Sequence, residues 1–380
     1  MSSKLHILFI SSWFPSKDKP TLGNFVENHA KSVSLLHNVT VIYVSKIQKL
    51  DSAYKFEKTE TKNYQVMLMY FRASNMGFKI LDGFIDAFRH WKYYLKLYKT
   101  LDFKPDLVHA NVVWPIGLFA LYLKFIYRIK FVLSEHWTIY LPENRSKIKS
   151  YFFKLINRNA SRILPVSLQL KEMMQESGIE GQFSVVPNTI DTNLFRYKEK
   201  INDDFFRFIH ISTLVNEHKN IKGILRAFLR MLESDEKNEL LIISDGEIDP
   251  IKSYAKELGY SDEKLKFIGT QKPKQIANYL QNSDVYLQFS NYETFGIVPA
   301  ESLCCGTAVI STQVGFLQDY EEEQIGCFVE IGNEEALLLR MKEIKQLNFN
   351  ARRASEFFSQ QFSEENVAKQ FSNIYFEVLQ

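Results

Sequence analysis

At 380 residues the chain exceeds the roughly 250 to 300 residues at which one hydrophobic core stops growing, so two domains are expected. Lys and Arg number 47 against 44 Asp and Glu, a net charge of +3 with 24% of residues charged, which excludes a dedicated nucleic-acid binder and a disordered chain. Three cysteines, Cys304, Cys305 and Cys327, are too few for an extracellular disulfide framework and lack the spacing of a structural zinc site, so a reducing cytoplasm fits.

The opening MSSKLHILFISSWFP has one early lysine and a short apolar run leading into Trp13, Phe14 and Pro15, with no small-residue cleavage site. It reads as a first buried strand and not as a signal peptide. No apolar run reaches the roughly 18 to 20 uncharged residues that span a bilayer, so a soluble or peripheral protein is expected. Short runs of Val, Ile, Leu and Phe then alternate with longer amphipathic stretches, the pattern of strands buried on both faces and joined by helices. In the first half, strands are predicted at His6–Ile10, Val39–Val44, Val66–Phe71, Leu107–Ala110, Phe131–Ser134 and Arg162–Val166. Helices are predicted at Asn24–Leu36, Asp82–Leu101, Ile116–Tyr127 and Ser146–Ala160. Repeated βα order implies a parallel sheet. Turn residues followed by charges make Val185–Asp204 the predicted interdomain linker. The second half restarts the grammar, with strands at Phe206–Ile211, Leu240–Ser244, Leu265–Ile268, Val285–Phe289 and Ala308–Ser311. Its helices are expected at Ile221–Leu232, Ile251–Leu258, Pro273–Gln281, Pro299–Cys304 and Glu334–Gln346. A ligand cleft is expected where the carboxyl ends of the two sheets face each other.

The strongest local signal is Asn291-Tyr-Glu-Thr-Phe-Gly-Ile-Val-Pro-Ala-Glu301, which follows a predicted strand and opens a helix. Seven residues separate Glu293 from Glu301. Across a strand-loop-helix junction that spacing can put the first carboxylate at the loop tip and the second on the helix, both toward one ligand. Gly296 allows close backbone approach, and the helix start offers unpaired N–H groups to sugar hydroxyls or phosphate oxygens. An ordinary βα loop with a solvated Glu301 is the plain alternative.

This segment, Glu293-TFGIVPA-Glu301-SLCCG-TAVIST, resembles the family 4 retaining glycosyltransferases of the GT-B fold, whose E-x7-E pattern precedes a small-residue helix, a Cys-Gly turn and a buried strand. The resemblance implies an α/β chain of two Rossmann-like doubly wound parallel-sheet domains facing a central cleft. The expected domains are 1–187 on the acceptor side, completed by a C-terminal helix over 362–380, and 188–361 for the nucleotide-sugar. By resemblance Glu301 holds the nucleotide ribose hydroxyls, Glu293 sits by the donor sugar, and the Thr294, Phe295, Gly296 and Ile297 backbone faces sugar or diphosphate. A carboxylate suits the first role, being a bidentate acceptor for vicinal hydroxyls.

Leu214-Val-Asn-Glu-His-Lys219-Asn220 also matches, and Lys219 is expected on the donor diphosphate, offsetting charge as the leaving group departs. The family's usual arginine ahead of the Leu-Val pair is Thr213 here. Gly23, in Pro20-Thr-Leu-Gly-Asn24, stands where the family has a glycine-rich loop near the donor; a plain turn is the alternative. His136, in Ser-Glu-His-Trp, matches the family's histidine at a strand end that contacts the donor sugar, and a satisfied structural histidine is the alternative. His109 also matches but is expected to be structural. Supporting matches are Val185-Val-Pro-Asn-Thr-Ile-Asp191, Ser244-Asp-Gly246, Phe267-Ile-Gly269 and the terminal helix to Leu379.

Basic and aromatic residues interleave in Phe88–Lys99 and Lys147–Lys154, as in helices lying on an anionic membrane surface, or equally in helices packed on a sheet. The expected reaction is retaining transfer from a nucleoside diphosphate sugar to a glycan or lipid-linked oligosaccharide acceptor in surface polysaccharide synthesis. Glu293, His136 and Lys219 are the expected catalytic residues. No cofactor and no obligatory metal are expected, because no Asp-x-Asp motif ends a strand, and the expected location is cytoplasmic, with peripheral membrane contact open. A GT-B nucleotide-sugar epimerase and a non-catalytic sugar-nucleotide-binding scaffold are the rival readings.

Overall fold

The computed structural model describes residues 4–61, 63–140, 147–200, 204–233, 236–260 and 263–380. Ser146 of the fourth predicted helix and residues 201–203 of the predicted linker lie outside these, as do the side chains of Lys147 and Ile148. The chain forms two compact units. One comprises Met1–Val166, Leu170–Thr189 and Glu364–Gln380; the other comprises Ser167–Gln169 and Ile190–Ser363.

The first unit runs β1 (His6–Ser11), α1 (Asn24–Ser34), β2 (Asn38–Ile47), β3 (Tyr54–Glu60), β4 (Tyr64–Arg72), α2 (Lys79–Lys99), β5 (Leu107–Asn111), α3 (Ile116–Tyr127), β6 (Phe131–Glu135), α4 (Lys147–Asn159), β7 (Arg162–Pro165) and α5 (Leu168–Glu176). Its sheet has the order β3-β4-β2-β1-β5-β6-β7. All neighbours are parallel except β3, which runs antiparallel to β4. Ile7, Leu8, Phe9 and Ile10 are all buried, as a strand covered on both faces requires. β3 was not anticipated because its sequence, YKFEKTE, has no apolar run. It is an edge strand that takes part in Lys17–Glu57, Lys55–Glu57 and Lys58–Glu60 pairs, charges that keep an open edge from pairing with another chain. The stretch Phe88–Lys99 lies in α2, and there Tyr93, Tyr94 and Tyr98 belong to the core. These tyrosines pack on the sheet, the second of the two readings offered for that stretch, while Phe88 at its start is exposed.

The second unit runs β8 (Phe206–Ile211), α6 (Asn216–Lys219), α7 (Ile221–Leu232), β9 (Asn238–Ile243), α8 (Asp249–Glu257), β10 (Leu265–Ile268), α9 (Pro273–Gln281), β11 (Val285–Gln288), α10 (Ile297–Cys304), β12 (Ala308–Thr312), α11 (Glu322–Ile325), β13 (Gly326–Val329), α12 (Glu334–Glu343) and α13 (Ala351–Phe362). Its sheet, β10-β9-β8-β11-β12-β13, is wholly parallel. In chain order this is strands 3-2-1-4-5-6, the doubly wound arrangement, with its switch point between β8 and β11. α7 shows why such helices form: Ile221, Ile224, Leu225 and Phe228 recur at helical spacing and all bury against the sheet. β13 and α13 were not anticipated. β13 is only four residues long, and α13 starts at the Asn350 cap, whose side chain accepts from Arg353 N at 3.0 Å.

The backbone turns extended at Ser363, and α14 (Glu364–Leu379) returns to the first unit. Val367, Phe371, Ile374, Tyr375 and Val378 form one buried stripe in that unit's core. His37 Nε2 meets Ser372 Oγ at 2.9 Å, and Arg162 pairs with Glu377. Replacing Phe371 by Ala should destabilise the chain by about 3 to 5 kcal/mol, since a fully buried ring is removed from a packed core. Urea denaturation would read this, and a loss below about 1 kcal/mol would mean that α14 contributes little to the first core.

Candidate active site

In the second unit the carboxyl ends of β8 and β11 are neighbours, and each leads into a loop that carries a predicted residue. After β8 the chain passes Thr213, which is exposed, and Leu214, which has φ 58°, and then forms the single turn of α6 that ends in Lys219. After β11 it passes Phe289 and Ser290 to Glu293. Lys219 Nζ donates to Glu293 Oε1 at 2.5 Å, and Ser290 Oγ donates to the same oxygen at 2.8 Å. The pair is only partly sheltered, with side chains 23% and 13% exposed. Asn291 ties the two loops together, its amide donating to the His218 carbonyl and its side chain to the Glu217 carbonyl. Thr312 Oγ1 donates to the Ser290 carbonyl at 2.7 Å, which anchors the loop to β12. Ser290 was not singled out from sequence, and Asn291, which opens the quoted segment, was given no role there.

Gly296 follows with φ 94°, a conformation that costs a residue with a Cβ strain, and caps α10. The Thr294 carbonyl accepts from Ser167 Oγ and the Phe295 carbonyl accepts from Phe316 N, so both oxygens are occupied. The Phe295 side chain is core, stacked on Phe316 at 4.8 Å. The amides of Gly296, Ile297 and Val298 have no acceptor among the described residues. With Pro299 next in line, they are the free donors of the helix start, where an anion or hydroxyl oxygen can be bound. One turn on, Glu301 is half-buried on α10 and accepts no hydrogen bond from the described residues. Burial pushes its carboxyl up to about 8. A desolvated carboxyl without a donor is matched to a partner with hydroxyls to offer.

In the first unit, Gly23 caps α1 with φ 77°, and a Cβ there would come within 2.6 Å of the Trp13 carbonyl group. The glycine thus lets the loop after β1 cross its own backbone. His136 leaves the end of β6 and is 7% exposed, and among the described residues neither of its ring nitrogens meets a partner with hydrogen-bond geometry, the Asn188 side chain being its polar neighbour. Its ring lies 4.3 Å from Phe25 and 5.4 Å from His29. Burial, reinforced by His29 and His109, holds its pKa well below 6.5, so it is neutral at physiological pH. His109 differs: it is fully buried, with Nδ1 on Tyr375 OH and Nε2 on Ser134 Oγ, a satisfied structural residue as expected. Between them, Glu135 was missed. Its buried carboxylate accepts from the amides of Val113, His136 and Trp137 and from Tyr140 OH, which fixes the turn that carries His136. Burial raises its pKa to about 7 against the pull of those donors. The only signal in the sequence was an acidic residue at the end of an otherwise apolar strand.

Two family profiles match the chain: Glycosyl transferases group 1 over residues 191–357 and Glycosyltransferase Family 4 over residues 27–194. An N-acetyl-alpha-D-glucosaminyl L-malate synthase of Bacillus anthracis is 32% identical over 179 residues, although that match spans only 45% of either chain. An alpha-monoglucosyldiacylglycerol synthase of Streptococcus pneumoniae is 23% identical over 74% of this chain and 72% of its own. Among solved structures, Anabaena HepE in complex with UDP-glucose superposes with a TM-score of 0.71 at 18% identity, covering 98% of this chain and 100% of that one. The chain belongs to the family 4 glycosyltransferases and has their GT-B fold. It is a glycosyltransferase.

The carboxyl of Glu301 gives a pH signature. Its folded pKa of about 8 lies above the ordinary 4.5, so the folded chain holds the extra proton between those values and loses stability as pH rises through that window. Glu301→Gln removes the effect. Thermal melts without nucleotide should show the variant gaining on wild type from pH 5 to pH 8.5, while a constant difference across that range would show that Glu301 is ordinarily solvated.

Proposed function

We propose that the enzyme transfers a glycosyl group, with retention at the anomeric carbon, from a nucleoside diphosphate sugar to the hydroxyl of a glycan or lipid-linked oligosaccharide. The observation that carries this reading is the set of groups around one loop of the second unit. A carboxyl with no donor, a run of free helix-start amides and a lysine together match ribose hydroxyls and a diphosphate. Glu301 takes the ribose, while Lys219 and the amides of Gly296 and Ile297 take the diphosphate, flanked by the Thr294 and Phe295 backbone. No metal enters this scheme. Glu293 lies by the sugar and stabilises developing positive charge. In the first unit, His136 and the loop at Gly23 are assigned to the donor sugar, and the neutral imidazole serves as a hydrogen-bonding group for a hydroxyl.

The bond from the anomeric carbon to the phosphate oxygen breaks as the bond to the acceptor oxygen forms on the same face. The proton of the acceptor hydroxyl passes to the departing phosphate oxygen. Lys219 stabilises the charge that accumulates on the diphosphate, which is where a fixed cation lowers the barrier. Retention is supported by the alpha linkages in the names of both relatives, since the common hexose nucleotides are themselves alpha-linked. A nucleotide-sugar donor is supported by the UDP-glucose complex of the superposed structure, and a lipid-borne acceptor by the diacylglycerol product of the streptococcal relative. Among the described residues no helix is long and apolar enough to cross a membrane, so a membrane-borne acceptor would be met from the surface.

A thermal-shift panel of UDP, GDP, ADP and their sugars tests the donor. One nucleotide should raise the melting temperature of wild type and leave Glu301→Ala unmoved, since only a ligand of the folded state stabilises it. No shift with any of them would remove the support for a nucleotide-sugar donor.

A further inference from the structure

The first unit carries an apolar surface that its core does not use. Between the end of β4 and the middle of α2, Phe78, Ile80, Phe84 and Phe88 are 69%, 79%, 71% and 69% exposed, with Met76 and Leu81 beside them. Scattered exposed hydrophobics are normal, but six large ones in thirteen consecutive residues form a patch of the kind that meets another apolar phase. Along α2, Ile80, Phe84, Phe88, Lys92 and Lys96 follow at four-residue steps, so one slanted stripe of the helix turns from apolar to cationic. At that change lies a cavity of about 510 Å³, whose lining includes Phe84 and Phe88 together with Arg72, Arg89 and Lys92.

The three cations have no carboxylate partner among the described residues; Arg89 donates only to the Arg72 carbonyl, at 3.2 Å. The nearby acids are engaged elsewhere. Asp82 accepts from Met76 N, and Asp86 accepts from Ser74 N and pairs with Lys46. Three unneutralised cations around a hollow, rimmed by phenylalanines that stand in water, match a phosphate joined to acyl chains and match neither half of it alone. We infer that this face of the first unit docks on an anionic phospholipid bilayer, with Phe78, Ile80, Phe84 and Phe88 entering the acyl boundary and a lipid phosphate held by Arg72, Arg89 and Lys92. The inference deepens the reading of a membrane-borne acceptor and rests on it for its purpose, while the binding itself needs neither donor nor acceptor. Tyr93, Tyr94 and Tyr98, further along α2, are core and take no part in it.

Co-sedimentation of the full chain with phosphatidylcholine vesicles, with and without 30% phosphatidylglycerol by design, tests this. Wild type should pellet with the anionic vesicles. Phe84→Ser with Phe88→Ser should weaken partitioning by roughly tenfold or more, as two apolar side chains no longer leave water. Arg72→Ala with Lys92→Ala should weaken it by roughly fivefold per cation and erase the preference for the anionic vesicles. Lys149→Ala with Lys154→Ala on α4 should change nothing. Wild type remaining in the supernatant, or the α4 pair mattering and the α2 pairs not, would overturn the inference. Nucleotide melting shifts on the same proteins separate the two readings: vesicle binding without any nucleotide shift leaves the docking surface standing and removes the donor, and the reverse result does the opposite.

Discussion

The site depends on one topological constraint, the reversal of winding between β8 and β11. In a parallel sheet ordered 3-2-1-4-5-6, the chain leaves these two neighbouring strands toward opposite faces, so their carboxyl ends are not covered by either connection. Two loops of modest length can then reach the same point from adjacent strands. The loop after β8 ends in Lys219, and the loop after β11 carries Glu293, and Asn291 holds the one to the other. Residues 74 positions apart in sequence thereby become an ion pair.

The pair has a chemical consequence. An anion that takes the ammonium of Lys219 must compete with Glu293 or share the lysine with it, and Ser290 Oγ is in place to keep Glu293 partly satisfied when it does. The neighbouring helix start adds amides with no acceptor, and Glu301 adds a carboxyl with no donor. Left alone the Glu301 carboxyl is unfavourable, because a desolvated polar group without a partner gives up its hydration for nothing. Together they describe a ligand with both acidic oxygens and hydroxyls. The first unit repeats the theme with His136, whose two nitrogens are buried among rings, while Glu135 spends its own carboxylate on holding the turn beneath it.

Much of this was legible in the sequence, and the pattern of what was not is instructive. Strands covered on both faces, such as HILFI and LLII, announce themselves because burial demands an unbroken apolar run. The edge strand β3 did not, since half its contacts are with water and its charges serve to discourage pairing. Lys219, Glu293 and Glu301 were singled out because the segments that carry them resemble those of the family 4 glycosyltransferases; the spacing of two glutamates or a lone lysine before a helix would not have marked them. Glu135 could not, because three of its four partners are backbone amides, which leave no trace in side-chain identity. The aromatic and basic residues of α2 left two readings open, because periodicity fixes that a helix has two faces and only the sheet decides which one it keeps: Tyr93, Tyr94 and Tyr98 go to the core and Phe88 does not.

The most direct test of the proposed donor site is calorimetric titration of UDP, GDP and ADP into wild type, Lys219→Ala and Glu293→Gln. If Lys219 is the diphosphate's cation and Glu293 its competitor, the lysine variant should bind roughly tenfold or more weakly, as a charge-assisted contact is lost, while the glutamine variant binds at least as tightly as wild type. Unchanged affinity in Lys219→Ala would contradict the account, because the ion pair would then be a structural tie and the diphosphate would have to lie elsewhere.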